Sequence, residues 1–468
     1  MMHEYEPEFL ASGTRLGTWW VPEETDLNHA GNLDSLPERR ETGILATATD
    51  GEWGLLIATQ LDAEDRSSSG LMQRELVQRH LMWGKTQDSA TSLFDGTLTT
   101  STTDYKTYAH TVWRGSWHVD SQTDWFFETD HVENICIEIA AAGPWGDMPP
   151  GQGQKHNLYL QWDYEQGVFE RPKPVIHEAK VNAADVQLET AVLGHHSGRR
   201  LEFELGTYVR VRDEVEVGRI LEKWVEPLHD LIGMFWLKNP GIVSVSVQRA
   251  ASLGSSKICY SGRFAPVEAR TVLDSRHRFA PFTTVEGLAK CGYSFDDLLT
   301  GYWDCRQRGY GRAIQRLNES QDSHLDHSLD ARMLSATMSL ESYERARTGR
   351  TGTIDIAKAA DNLVDTAGLI GAEIRDIWAA RGGQLFKNSV ARIRSEYLTH
   401  EQSGARLKAR SDSELSDHYW HHVALQWLLR RRFLAVIGIQ ESTADHLVAD
   451  SLAYREEIRV MWDHYAGS

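Results

Sequence analysis

The chain has 468 residues, 41% apolar and 25% charged, with a formal net charge of −18. These proportions suit a folded globular protein of about two to four domains and exclude intrinsic disorder, collagen and a disulfide scaffold. The charge also excludes a protein that coats nucleic acid over its whole surface. Cys136, Cys259, Cys291 and Cys305 are far apart and form no C-x-x-C pair. Free thiols in a reducing cytoplasm are therefore expected rather than a zinc ribbon. The opening residues MMHEYEPEFL are acidic and lack the apolar run of a signal peptide. No stretch approaches the about 18 apolar residues of a membrane span, so no membrane association is expected.

In chain order, the first part (residues 1–165) reads as strands. GTWWVP (17–22), ETGILATATDGEWGLLIATQL (41–61), TYAHTVWRGSWHV (107–119) and VENICIEIA (132–140) are rich in β-branched and aromatic residues. Asp50-Gly51 marks a hairpin between two apolar runs. Nine of the sixteen Trp fall here, among them Trp19, Trp20, Trp83, Trp117 and Trp125. They form either a sheet core or a platform for a ligand. A second part (166–320) mixes strands with helices. RLEFELGTYVRVR (200–212) and GIVSVSVQRA (241–250) read as strands, and residues 218–237 as helix around Pro227. Ser294 with Asp297 caps a further helix that reaches Glu319, although Gly301, Gly309 and Gly311 weaken it. The polar stretch NESQDSHLDH (318–327) is an expected hinge.

From about Leu325 the apolar period becomes helical, Pro is absent and strand signals are few, so residues 321–468 read as an all-helical domain. The expected class is α+β and multidomain: a β-rich N-terminal region of sandwich-like sheets with a few helices, then a helical bundle. Charge follows the same division. Residues 1–309 carry 29 basic and 45 acidic residues, and residues 310–468 carry 20 and 22. Within 375–432, 11 basic residues stand against 6 acidic. Such a zone suits either one nucleic-acid site or a solvated helix face.

No P-loop, H-E-x-x-H, G-x-S-x-G or G-x-G-x-x-G motif is present, which leaves little support for an ATPase, zinc protease, hydrolase or dehydrogenase. His195-His196 and His421-His422 lack evident carboxylate or thiol partners and read as surface or core histidines. Arg394-Ser-Glu-Tyr-Leu-Thr-His400 lies in the basic zone. Six residues on an ideal helix turn about 120° away from the starting face, so the two side chains converge only if the helix ends or bends, or if two copies face each other.

On SLESYERA (339–346), VARIRSEYLTHEQ (390–402) and the helix with Arg430-Arg431-Arg432, the C-terminal part resembles a HEPN domain of the ApeA-like group. The N-terminal part resembles the ApeA N-terminal domain through GTWWVP, GILATATDGEWGLLI, WGKTQDSATSLFDG, HVENICIEI and the helix around Tyr302-Trp303. The resemblance implies an anti-phage protein of the cytoplasm with a metal-independent HEPN endoribonuclease domain, acting without cofactor. It implies a homodimer through that domain, with Arg394 as phosphate clamp and His400 as acid/base. Glu341 and Ser395 would support them, Ser395 standing where many active members have Asn. Arg392, Arg430, Arg431 and Arg432 are candidate phosphate contacts. The substrate would be RNA in single strands or loops, tRNA included, and a phage-derived trigger would act on the N-terminal region. Two rivals remain: a catalytically inactive HEPN scaffold that binds RNA or senses a ligand, and a carbohydrate or small-ligand module on the Trp-rich sheet.

Overall fold

The structure, a computed structural model, describes residues 15–20, 22, 41–47, 53–60, 81–86, 89–95, 97–102, 108–114, 116–122, 124–139, 162–163, 168–169, 174–197, 200–236, 241–250, 254–260, 264, 281–321, 329–379, 385–403 and 412–466. The chain divides into two compact units, residues 1–140, 208–223 and 241–272, and residues 141–207, 224–240 and 273–468. Neither of the expected divisions, at 165 and at 320, is a boundary between these units. Among the described residues, no helix is long and apolar enough to cross a membrane.

The strands are β1 (Arg15–Trp20), β2 (Glu41–Thr47), β3 (Trp53–Gln60), β4 (Leu81–Thr86), β5 (Ala90–Phe94), β6 (Thr97–Thr102), β7 (Tyr108–Arg114), β8 (Trp117–Ser121) and β9 (His131–Ile139), then β10 (Trp162–Asp163), β11 (Val168–Phe169), β12 (Val175–Val181), β13 (Ala184–Ser197), β14 (Arg200–Glu216), β15 (Ile242–Gln248) and β16 (Ser256–Tyr260). In the first unit they join antiparallel in the order β9-β15-β16-β8-β5-β4-β1-β2-β3-β7-β6. This is one continuous ladder where separate, sandwich-like sheets were expected. Thr47 opposes Trp53 across β2 and β3, so the two apolar runs around Asp50-Gly51 pair as expected. The single strand expected over 107–119 is two, β7 and β8.

Successive residues of a strand face opposite sides, and β1 uses both. Trp19 packs with Leu45, Leu55, Met82 and Leu93 on one face. Trp20 packs with Trp83, Ala90 and Trp125 on the other. Three of the buried indole N–H groups meet a carbonyl: Trp19 that of Gly43 at 3.1 Å, Trp83 that of Phe126 at 3.2 Å, and Trp125 that of Gly84 at 2.9 Å. Gly84 is required by close approach, since a Cβ there would lie 2.1 Å from the Trp19 ring. These tryptophans are core, which removes them as a ligand platform.

In the second unit, β12 and β13 form a hairpin through Asn182 and Ala183, both left-handed at φ 49° and 70°. The helices are α1 (Glu226–Phe235), α2 (Val285–Lys290), α3 (Phe295–Gln307), α4 (Gly311–Glu319), α5 (Leu329–Thr348), α6 (Ile356–Thr366), α7 (Gly368–Ala379), α8 (Leu385–Ser403), α9 (Asp412–Val436), α10 (Glu441–Ala449) and α11 (Leu452–Ala466). Ser294 and Asp297 form the expected capping box of α3. Gly309, at φ 89°, ends that helix and lets α4 begin, so the expected single helix is two.

The expected hinge at 318–327 is packed over its first residues. Asn318 is buried, and its amide donates to the Asp230 carbonyl of α1 at 2.9 Å. The Ser320 carbonyl accepts from Arg332 at 3.2 Å. Residues 322–328 lie outside the described residues. From α9, fully buried Arg430 donates to the carbonyls of Met234 at 2.7 Å and Trp236 at 2.5 Å. Carbonyls at a helix end have no partner inside the helix, so a side chain from nearly two hundred residues away completes α1. Arg430→Met removes both donors at once, and unpaired buried carbonyls cost about 1–3 kcal/mol each. Urea denaturation should give a loss of about 2–6 kcal/mol; an unchanged midpoint would show that this cap is dispensable.

Candidate functional site

The candidate site lies between α5 and α8. Both helices bury apolar side chains between their polar positions: Met333, Ala336, Leu340 and Tyr343 on α5, Phe386, Val390 and Ile393 on α8. Arg394 follows Ile393 and turns out of that apolar seam. Its Nε donates to Glu341 Oε2 at 2.7 Å and its Nη2 to Oε1 at 3.1 Å. The pairing spans 53 residues of sequence and uses one edge of the guanidinium, leaving Nη1 outside it. Glu341 also accepts from Arg345, one helical turn on, at 2.7 Å. Burial raises the Glu341 pKa, but the hydrogen bonds and charges of Arg394 and Arg345 outweigh it and hold the carboxyl below its ordinary range. The Arg394 side chain remains 25% exposed, enough for a ligand to reach it. Ser395, the next residue, is exposed.

Two of the four residues expected at the catalytic site are thus in direct contact. His400 lies in the same unbroken helix, α8, and its side chain lies outside the described residues. No end of the helix falls between Arg394 and His400. The two positions stand about 9 Å apart along the axis and about 120° apart around it.

The expected phosphate contacts fare differently. Arg430 is buried against α1, and burial pushes its pKa down to about 9. Arg431 is also buried; it bonds Asp445 at 2.8 Å and pairs with Glu441. Neither can reach a phosphate, and that expectation is corrected: both arginines fasten helices to one another. Arg432 is half-buried and bonds the Tyr343 hydroxyl at 3.0 Å, the Thr366 carbonyl at 2.9 Å and Glu441 at 2.9 Å. Arg392 is exposed and bridges Glu396, Glu414 and His418. His418 in turn stands 3.3 Å from Asp330 of α5.

His421 and His422 are core residues. His421 packs against the rings of Trp378 and Phe386. His422 donates to the Ser320 carbonyl at 3.1 Å, and burial first, then the charge of Arg332, drives its pKa to about 3. The side chains of His195 and His196 lie outside the described residues.

One polar cluster escaped the reading of the sequence: His118, Asp120 and Cys259 in the first unit, whose donor atoms lie within 4.8 Å of one another. The alternation His-x-Asp on a strand was a visible signal. Cys259 is 139 positions beyond Asp120 and joins them only through strand pairing. An Arg15 guanidinium nitrogen sits 2.8 Å from Asp120 Oδ2. That fixed positive charge opposes a cation at the same carboxylate, so the cluster is read as a chain of ion pairs.

Compared with known proteins, the chain matches no family model, no curated protein and no solved structure.

The ion pair at Glu341 gives a pH signature. A carboxyl held below its ordinary pKa contributes stability above the unfolded value, about 4.3 for Glu, and loses it as pH falls through the folded value. Glu341→Gln should therefore cost about 1–3 kcal/mol at neutral pH, with the gap to wild type closing as the medium is acidified below about pH 4. Urea melts at several pH values measure this, and a gap independent of pH would contradict it.

Proposed function

We propose that this chain is a metal-independent endoribonuclease of the HEPN kind that serves in defence against phage. The grip of Glu341 on Arg394 carries the reading. A carboxylate from the first helix of the bundle holds one edge of the guanidinium and aims the remainder outward, and such preorganisation is what a phosphate clamp requires. Because α8 is unbroken, the Arg394 and His400 positions of one chain lie on different sides of an ideal helix, and a second copy completes the cleft. Leu415 and Tyr419 suit that contact. They are exposed, one turn apart on α9, and adjacent in sequence to Glu414 and His418, which meet Arg392.

In the reaction, one His400 takes the proton of the ribose 2′-hydroxyl. The 2′-oxygen forms a bond to phosphorus as the bond to the 5′-oxygen breaks, and the His400 of the second copy protonates that leaving oxygen. Arg394 stabilises the negative charge that builds on the phosphoryl oxygens, with Ser395 beside it on the exposed face. An imidazole with an ordinary pKa near 6.5 serves both roles at neutral pH. RNA with an unstacked backbone allows the in-line approach, so single strands and loops, tRNA loops among them, are the substrates, and cleaving them halts translation in the infected cell.

An inactive scaffold is the second reading, favoured by the same Glu341–Arg394 pair, which also ties α8 to α5 without chemistry. Two variants separate the readings. His400→Ala should keep the wild-type melting temperature and lose about 10²–10⁴-fold in RNA cleavage. Arg394→Lys should preserve a charge for Glu341 while losing the two-pronged donor, and fall in activity without unfolding. EDTA should leave the wild type unaffected. Undiminished cleavage by His400→Ala, or its loss on chelation, would overturn the proposal.

A further inference from the structure

The first unit holds a second chemical grouping, on neighbouring strands β16, β8 and β5. Cys259 and His118 are directly opposed across β16 and β8, and Thr91 of β5 opposes Asp120. Asp120 stands two residues beyond His118 and so shares its face. Nε2 of His118 is 3.4 Å from Asp120 Oδ2. The same carboxylate receives Arg15 at 2.8 Å and the Thr91 hydroxyl at 2.7 Å. A thiol, an imidazole, a carboxylate and a guanidinium thus follow one another on one face of the sheet.

Access is graded across this face. Thr91 and Leu93 are buried, His118 is buried, Cys259 is half-buried, and Lys257 is exposed. Toward β15 and β9 the face continues through half-buried Ser244, Ser246, Cys136 and Glu138. Half-buried Cys259 thus stands between the closed core and the exposed end of this face. The charged groups on this face are His118 and Asp120 from β8, Arg15 from β1, Lys257 on the cysteine's own strand, and Glu138 of β9, which accepts from Ser244 at 2.9 Å. Burial raises the thiol pKa, but His118 outweighs it and brings Cys259 below its ordinary value. The same pairing, against burial, raises that of His118.

We propose that Cys259 is a reactive thiolate which small hydroperoxides oxidise to a sulfenic acid, with His118 as proton donor. The sulfur lone pair attacks the distal peroxide oxygen. An S–O bond forms as the O–O bond breaks, so sulfur is oxidised and the peroxide reduced. The departing oxygen takes the proton of the His118 imidazolium, leaving Cys–SOH, neutral His118 and one molecule of water or alcohol.

Other uses of the thiolate fit less well. β16 is paired along both edges, by β15 and β8. Its amides are committed to the sheet and do not supply the donor pair that acyl transfer needs. Cys136 lies on β9, two strand spacings or about 10 Å away, beyond the reach of a disulfide. The sulfenic acid therefore has no neighbouring thiol of this sheet to resolve it.

The test uses the reduced full-length protein. Iodoacetamide labelling is followed for each cysteine by peptide mass spectrometry across about pH 5–9, with exposed Cys291 as reference within the same chain. The half-maximal pH of Cys259 should lie about one unit or more below that of Cys291. Hydrogen peroxide followed by dimedone should mark Cys259 first. His118→Gln should move the Cys259 midpoint up to that of Cys291 or above it; the comparison within the wild-type chain stands even if that variant does not fold. A shared midpoint, no dimedone adduct at Cys259, or labelling of Cys259 that rises on chelation of bound Zn²⁺ would each overturn the proposal.

Discussion

The second unit depends on one buried cation. Arg430 reaches from the middle of α9 to the last carbonyls of α1. Burying a guanidinium is costly unless its donors are met, and the end of a helix supplies carbonyls that lack partners of their own. Each problem solves the other. Around this contact the aromatic side chains continue from Phe235 to Phe282, Trp427 and Tyr454. α1 is therefore part of the helical unit, although about ninety residues separate it from α5. A division of the chain at residue 320 would sever that contact, as well as Ser320 from Arg332 and His422.

The same contact explains why linear charge misleads. Residues 375–432 are rich in Lys and Arg, and that surplus suggested an open basic zone. Their partners lie largely outside that window. Arg375 pairs with Asp365, Lys387 with Asp361, Arg394 with Glu341, and Arg431 with Asp445. Arg430 donates to backbone carbonyls instead. A window of sequence counts charges; folding decides which of them face water. Arg394 differs from buried Arg431 because its acid partner occupies one edge of the guanidinium and leaves the side chain partly exposed.

Much of the architecture was legible. The change of period near Leu325, the Ser294–Asp297 cap and the paired apolar runs around Asp50-Gly51 rest on local chemistry, which sequence reports directly. Glu341 and Arg394 were singled out separately, and their contact could not be read from spacing. Strands β4, β5, β6 and β16, of five or six residues each, are too short to show a period, and β12 and β13 were missed with them. Asn182-Ala183 turns a hairpin without the customary glycine. Cys259 shows the deeper limit: it joins His118 and Asp120 through strand pairing, which leaves no trace in spacing. Ser320 and Asn318 show the converse, a polar stretch that reads as a hinge yet is buried because helix carbonyls and amides satisfy it.

The central claim is that Arg394 and His400 cut RNA by acid–base chemistry within a cleft that two copies share. The chemical ends of the fragments test it most directly. Unfractionated tRNA incubated with the purified chain, then analysed by mass spectrometry, should yield fragments ending in 2′,3′-cyclic phosphate and beginning with 5′-hydroxyl. Fragments with 5′-phosphate and 3′-hydroxyl ends would require an attacking water in place of the ribose oxygen, and would contradict the account.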